Sequence, residues 1–406
     1  MSTWVPPVIY ADGDPLNASD EYAIWLSLAN WLSQGIPASA LERDAQGRIV
    51  FDSDIDLSGR SILGAANAWT GVGNIRNYGV QGQGAFDESD AIESGLNRMA
   101  SKGLGLAYFP AGRYNVTRRI SVPPNLSIRG SGPESIIRVN NTTETGAPAL
   151  AVQSASGVTI QGLAFENAAG ASNTGILVIQ SERVTVRDCY SGPGMAKGVS
   201  IVQSKGCVVD TLFANSTKTA LDASGCTGLS VYTVNYWVPD GGIYPGPGVS
   251  IVGSTAVNAR GINVRKAENG VLLRDVQGGS VQGYITDCLG SGVVFKGCRQ
   301  VHLYSSLVFD CVSEGGRKEP GVMLESCDHC TVANVVSIVA SIGHATFGVQ
   351  IEGGTWNRVH GIIGSQNFGT GDVRVTDDSV TLLDRGQNTL EYGNAHYALG
   401  IPEADA

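Results

Sequence analysis

The sequence predicts an all-β solenoid, a right-handed parallel β-helix, on three observations. The 406 residues include 54 glycines, 42% hydrophobic residues and only 16% charged ones, a profile of many short strands and tight turns around a continuous core. A Gly or Ala followed by alternating apolar residues returns at Gly157, Gly175, Gly198, Ala220, Gly248, Gly270, Gly292, Gly321 and Gly348, every 24 residues or so, with single intervals from 18 to 29. That is a solenoid period. Within each repeat the alternation has period two, as in Gly292-Val293-Val294-Phe295 and again from Val301 to Phe309, which excludes an α-solenoid. The Leu/Asn consensus of a leucine-rich horseshoe is absent.

The N-terminal region, residues 1–75, differs from the rest. Asn17 or Ser19 can N-cap a helix running to about Ser33, with Asp20 and Glu21 near its positive end. Tyr22, Trp25, Leu26 and Ala29 form one apolar stripe, and Ile24, Leu28 and Trp31 a second, so such a helix needs a cover. This region is read as an element of assembly. Residues 38–68, with Arg48-Ile49-Val50-Phe51 and Ile55-Asp56-Leu57-Ser58-Gly59, read as short strands or an extended connection.

The solenoid is expected over 76–385. At its start Phe86-Asp87-Glu88-Ser89-Asp90-Ala91-Ile92 opens a helix over about 88–100, whose Ile92, Leu96 and Met99 lie at i, i+4 and i+7 and can cover the open end of the first coil. Tyr108-Phe109-Pro110-Ala111-Gly112-Arg113-Tyr114 and Leu126-Ser127-Ile128-Arg129-Gly130-Ser131-Gly132 follow as strands. Each later repeat reads as two strands joined by a turn. The turns hold Cys207, Cys226, Cys298 and Cys327, and the ends of the second strands hold Asn167, Cys189, Asn215, Cys288, Cys311 and Asn367, so both sets are expected to stack as inward ladders. Cys327-Asp328-His329-Cys330 has a spacing zinc accepts; without a second ligand pair, neither metal nor cofactor is expected. Residues 386–406 form a C-terminal tail too short for a lectin domain.

The formal charge of -10, with no compensating Lys/Arg cluster, argues against a nucleic-acid partner. The longest apolar run, near Val335–Ile342, is too short for a membrane span. The first basic residue is Arg43 and Pro6, Pro7 and Asp12 interrupt any early apolar stretch, so synthesis in the cytoplasm with reduced, buried thiols is expected.

Two intervals are long, 28 residues from Ala220 and 29 from Gly292, and both insertions fall just before the next Gly strand. They carry Tyr236, Trp237, Asp240 and Tyr244 in the first and Glu314, Arg317, Lys318 and Glu319 in the second. Three coils at about 4.8 Å each separate them by roughly 14 Å, the width of a sugar-binding groove. Trp237, Asp240, Tyr244 and Arg317 are candidate substrate-binding residues. Asp287 and Asp310 end their strands in the matching contexts Thr286-Asp287-Cys288 and Phe309-Asp310-Cys311; on adjacent coils their carboxyls would stand about 5 Å apart, the spacing of a retaining glycosidase. With Glu314 they are the catalytic candidates. The bland reading is that such Asp residues accept turn N–H bonds, as Asp188 and Glu166 would in similar positions, and that the scattered His302, His329, His344, His360 and His396 are structural.

The succession from Phe86 to Gly132 resembles the pectate-lyase-like superfamily at the start of its β-helix, with Asp87-Glu88 in place of the usual paired Asp. The segments Ala11-Asp12-Gly13-Asp14-Pro15-Leu16-Asn17-Ala18-Ser19-Asp20 and Asp56-Leu57-Ser58-Gly59-Arg60-Ser61-Ile62 look like the starts and connectors of phage tail proteins. The resemblance implies a bacteriophage tailspike: a homotrimer in the virion, held to a tail or baseplate component through residues 1–75, that contacts host capsule or lipopolysaccharide. Two functions stay open, an endo-acting depolymerase (glycoside hydrolase or polysaccharide lyase) and a non-catalytic receptor-binding or structural tail protein. The calcium-binding Asp cluster of lyases with this fold has no residue-by-residue match here.

Overall fold

The computed structural model describes residues 41–43, 49–51, 71–140, 147–168, 173–192, 194–215, 218–238, 246–309, 311, 320–338, 349–360, 363–364, 373–375 and 389–391. The chain divides into two units, Met1–Thr70 and Gly71–Ala406. In the first, Leu41–Arg43 pairs antiparallel with Ile49–Phe51. The helix expected over 17–33 and the strand expected at Ile55 lie outside the described residues.

The second unit is a parallel β-helix in which every coil contributes up to three strands, one to each of three faces. Pro148–Gln153, Asn173–Ile179, Met195–Val202, Thr219–Ser224, Val249–Val252, Val271–Arg274, Val293–Lys296, Val322–Asp328 and Val349–Thr355 stack in parallel register as the first face. The second face carries Ser127–Gly130, Thr159–Gln161, Ser230–Val231, Arg299–Tyr304 and Thr331–Ala333 among its strands. The third carries Ser135–Val139, Ala164–Asn167, Val234–Trp237 and Leu307–Phe309. Parallel pairing needs a crossover, and here the rest of each coil supplies it. The inward residues of all faces form one continuous core; Val199, Leu221, Val249, Val271, Val293 and Val322, for instance, are fully buried in successive coils.

The apolar run from Val301 to Phe309 is therefore not one strand but two, Arg299–Tyr304 and Leu307–Phe309, bent at Ser305 with φ +46°. The inward positions change parity across that bend, from Val301 and Leu303 to Ser306 and Val308, yet apolar residues continue on both sides, which is why two faces read as one strand in the sequence. Gly157 is also not a repeat start. It sits at the corner after the first-face strand Pro148–Gln153, and the true step, Leu150 to its partner Ile176, is 26 residues rather than 18.

The corner between first and second faces has a fixed recipe. Two left-handed residues three apart bracket one small inward side chain: Gln180 and Arg183 around Ser181, Gln203 and Gly206 around Ser204, Gly297 and Gln300 around Cys298, Ser326 and His329 around Cys327. Ser181 Oγ donates to Ile179 O at 2.8 Å and accepts from Ala155 N of the preceding coil at 3.2 Å; Cys327 Sγ donates to Glu325 O and to Phe295 O, both at 3.4 Å. Serine and cysteine here both donate to a carbonyl, while Ala155, between Ser154 and Gly157, and Val276, between Asp275 and Gly278, fill the same position as buried apolar groups. The expected thiol ladder is corrected accordingly. Cys226, Cys298 and Cys327 share this column, whereas Cys207 and Cys330 stand in the next, at the start of the second face, where Asn357 Oδ1 accepts from Cys330 N at 3.0 Å. The second expected column breaks up too: Cys189 opens a third-face strand position, Asn215 points outward, Cys288 and Cys311 stand on successive coils, and Asn367 lies outside the described residues.

None of the eight cysteines forms a disulfide, and all are buried. Burial pushes the Cys189 thiol up to about 12 and raises Cys207 and Cys226 as well, and the thiolate is the reactive form. The folded protein is expected to leave Ellman's reagent uncoloured at pH 8 and to titrate all eight thiols in denaturant; prompt reaction of several in the folded state would contradict the buried columns.

The α-helix runs Ser89–Ser101, close to the expected span, with Ile92, Leu96 and Met99 fully buried. It stands between a third-face strand, Gln83–Asp87, and a second-face strand, Leu106–Phe109, in the place a first-face strand takes in later coils. The acidic doublet divides its work. Asp87 accepts from Ser89 N, Ser89 Oγ and Thr117 Oγ1, and although burial opposes it, these bonds hold its carboxyl below the usual range. Glu88 is longer and turns back, its Oε1 accepting from Gln81 N and Gly82 N at 2.5 and 2.9 Å.

Candidate functional site

Because inner and outer positions alternate along each strand, the outer surface of each face is a set of vertical columns, one residue per coil. On the third face one column reads Tyr190, Phe213, Asn235, Asn263, Tyr284, and the column two residues along reads Asn215, Trp237, Arg265, Thr286. These columns close around a shallow pocket of about 210 Å³ lined by Asn235, Tyr236, Trp237, Asn263, Val264, Arg265, Tyr284 and Thr286.

Trp237 and Tyr284 are 39% and 51% exposed, and neither stacks on a ring in the described residues of its own column. They face the pocket from coils two apart, about 9.6 Å along the axis, with Asn263 and Arg265 on the coil between. The floor is polar and ordered: Asn263 Nδ2 donates to Asn235 Oδ1 at 2.9 Å, and Arg265 Nε donates to Asp287 Oδ2 at 2.8 Å. Tyr190 and Phe213 play a different part. Their rings stack on each other at 5.0 Å and 9°, so one face of each is covered by the other.

Of the sequence-predicted residues, Trp237 lines the pocket and Asp287, with φ +54°, follows the strand Gln277–Thr286, which runs through the second and third faces, and pairs with the exposed Arg265. Asp287 stands on the coil next to that of Phe309, because Thr286 and Phe309 are register partners. Asp310, Glu314, Arg317, Asp240 and Tyr244 lie outside the described residues. Both long insertions fall between a third-face and a first-face strand in chain order, Trp237 to Val249 and Phe309 to Val322. Asp188 and Glu166, taken as positional equivalents of Asp287, are not: Asp188 turns the corner from second to third face and accepts from Gln161 Nε2 at 3.1 Å, and Glu166 is an outward residue inside its strand, 3.7 Å from Arg113. Tyr236, grouped with the loop aromatics in the sequence, points inward at 2% exposure, and burial raises its phenol pKa.

Sequence reasoning missed Asn235, Asn263, Arg265 and Tyr284. The signal existed: each stands at a constant offset in its third strand, in Val234-Asn235-Tyr236-Trp237, Ile262-Asn263-Val264-Arg265 and Gly283-Tyr284-Ile285-Thr286. It is visible only once each coil is divided into three strands.

No family model matches the chain. A segment of 79 residues is 37% identical to the mannuronan C5-epimerase AlgE3 of Azotobacter vinelandii; the match spans 19% of this chain and 4% of that protein's length. Among solved structures, a DFA-IIIase from Arthrobacter chlorophenolicus A6 without its lid aligns over 80% of this chain and 100% of its own, at 14% identity and TM-score 0.64. The full-length tailspike protein 2 of Escherichia coli O157:H7 bacteriophage CAB120 aligns over 79% of this chain and 44% of its own, at 12% identity and TM-score 0.60. The Dettilon tailspike protein gp208 aligns over 75% and 68%, at 13% identity and TM-score 0.54. The chain shares the parallel β-helix fold of these solved structures.

Proposed function

We propose that this chain is a tailspike-like subunit that binds bacterial surface polysaccharide on the third face of its β-helix, with the pocket between Trp237 and Tyr284 as a sugar subsite. The observation that carries the reading is that pair of exposed rings two coils apart over an amide and guanidinium floor. Apolar ring faces take up the C–H faces of a pyranose while fixed amide and guanidinium donors read its hydroxyls. The likeness of fold to two tailspikes supports the same reading. On it, the chain works as a homotrimer in the phage tail, the helix Ser89–Ser101 closes one end of the column, and residues 1–75 hold the subunit to a tail or baseplate component.

A panel of bacterial capsular polysaccharides and lipopolysaccharide O-antigens on a glycan array tests this: binding to at least one polymer is expected, and silence across the panel would overturn it. Depolymerisation is the second reading, supported by the pairing of Thr286 with Phe309 on successive coils, since Asp287 and Asp310 are the next residues in sequence after each; Glu314 joins them as a candidate. Carboxyls about 5 Å apart suit a retaining hydrolase. Release of short oligosaccharides from a bound polymer, cut by orders of magnitude in Asp287→Asn, is the expected result. Unchanged chain length with retained binding leaves the receptor-binding reading alone.

A further inference from the structure

Among the described residues that line the pocket, Arg265 is the one charged side chain, and its charge is already answered. Its Nε donates to Asp287 Oδ2 at 2.8 Å, so guanidinium and carboxylate together leave the floor with no net charge. The amides have a fixed polarity. Asn263 Nδ2 donates to Asn235 Oδ1 at 2.9 Å, which leaves Asn263 Oδ1 to accept and Asn235 Nδ2 to donate. A sugar hydroxyl both donates and accepts, so it satisfies either atom; a carboxylate or sulfate oxygen only accepts, and meets Asn263 Oδ1 as like against like. The sequence next to this edge offers no offsetting cation. Between Trp237 and Gly248 the sole charged residue is Asp240, and between Phe309 and Gly321 the acids Asp310, Glu314 and Glu319 outnumber Arg317 and Lys318. The whole chain stands at -10, and a field of that sign repels polyanions.

We propose that the subsite between Trp237 and Tyr284 selects an uncharged sugar, one without carboxylate, sulfate or phosphate, and that Asp287 sets this selection by neutralising Arg265. This rests on the reading of the pocket as a polysaccharide site. An anionic sugar entering it gains attraction to Arg265, loses about as much to repulsion from Asp287, and gives up its own hydration. An uncharged ring keeps its contact with the aromatic faces and meets no such cost.

The experiment uses the uncharged and the uronate-containing members of a bacterial polysaccharide panel, together with the bound polymer after oxidation of its primary alcohols to carboxylates. The parent, Asp287→Asn and Asp210→Asn are compared. Both substitutions remove one negative charge, but Asp210 pairs with Arg187 at 3.0 Å on the second face, away from the pocket. Asparagine suits the left-handed φ of +54° at position 287, a conformation its short polar side chain tolerates. Uncharged polymers are expected to bind the parent with an affinity that stays flat between about 50 and about 500 mM NaCl. Oxidation is expected to weaken that binding about 10-fold; Asp287→Asn recovers most of the loss at low salt, and Asp210→Asn recovers none. Preference for the uronate polymers, or equal binding of the oxidised polymer, overturns the charge selection and leaves the pocket as a polysaccharide site. Recovery in both variants or in neither overturns the role of Asp287. Silence of the parent across the whole panel overturns the proposed function itself.

Discussion

Trp237→Ala is expected to weaken binding of the cognate polysaccharide about 10- to 30-fold, roughly 1.4–2 kcal/mol, while the protein stays folded. The side chain is 39% exposed at the end of its strand, so its removal opens no core cavity. What is lost is one of two ring faces that enclose a sugar, and an exposed, rigid aromatic at the centre of a contact is the type of residue on which affinity concentrates. Tyr284→Ala, across the pocket, is expected to act in the same direction. The buried neighbour Tyr236 supplies the control, since Tyr236→Phe keeps the inward ring and leaves the pocket's shape intact. Calorimetry on all three variants checks this; equal affinity for Trp237→Ala and the parent would remove the pocket from the account of recognition.

Gly279→Ala is expected to cost about 3 kcal/mol or more, the largest effect of a single methyl on the described surface of the second face. Gly279 has φ +148°, and a Cβ there would stand 2.0 Å from Val257 O on the neighbouring coil. Backbone carbonyls of a stacked sheet cannot retreat, so the coil itself must shift. Gly278, one residue earlier, isolates the conformational part: its φ is +71° but a Cβ would meet nothing within 4 Å, so Gly278→Ala is expected to cost about 1–2 kcal/mol. Denaturant melts of the pair should differ accordingly, and hydrogen exchange should place the damage in the coils around 257–301, because solenoid coils lean only on their neighbours. Equal midpoints for the two variants would mean that the chain relaxes around Gly279.

Much of this fold was legible in the sequence because alternation survives solenoid winding: the run Gly292–Phe295 names its inward residues correctly, and Ile92, Leu96 and Met99 mark the helix face. The corners were harder to read. Ser305, Asn334 and Asp188 turn the chain by adopting left-handed φ, so no glycine announces the bend, and second and third strands fuse into one apolar run. The error propagated to the site. With two strands per coil, Asp188 and Asp287 appear equivalent and Asn263 and Tyr284 appear unremarkable; with three, the first pair separates and the second falls into one column.

The identical first corner in coil after coil has a consequence for how such a protein can change. A turn that requires two left-handed residues three apart tolerates no insertion, so variation in coil length is driven to the opposite edge, between third and first faces, next to the pocket. New specificity can then arise by lengthening or rewriting loops at that edge, while the inward lattice is inherited untouched.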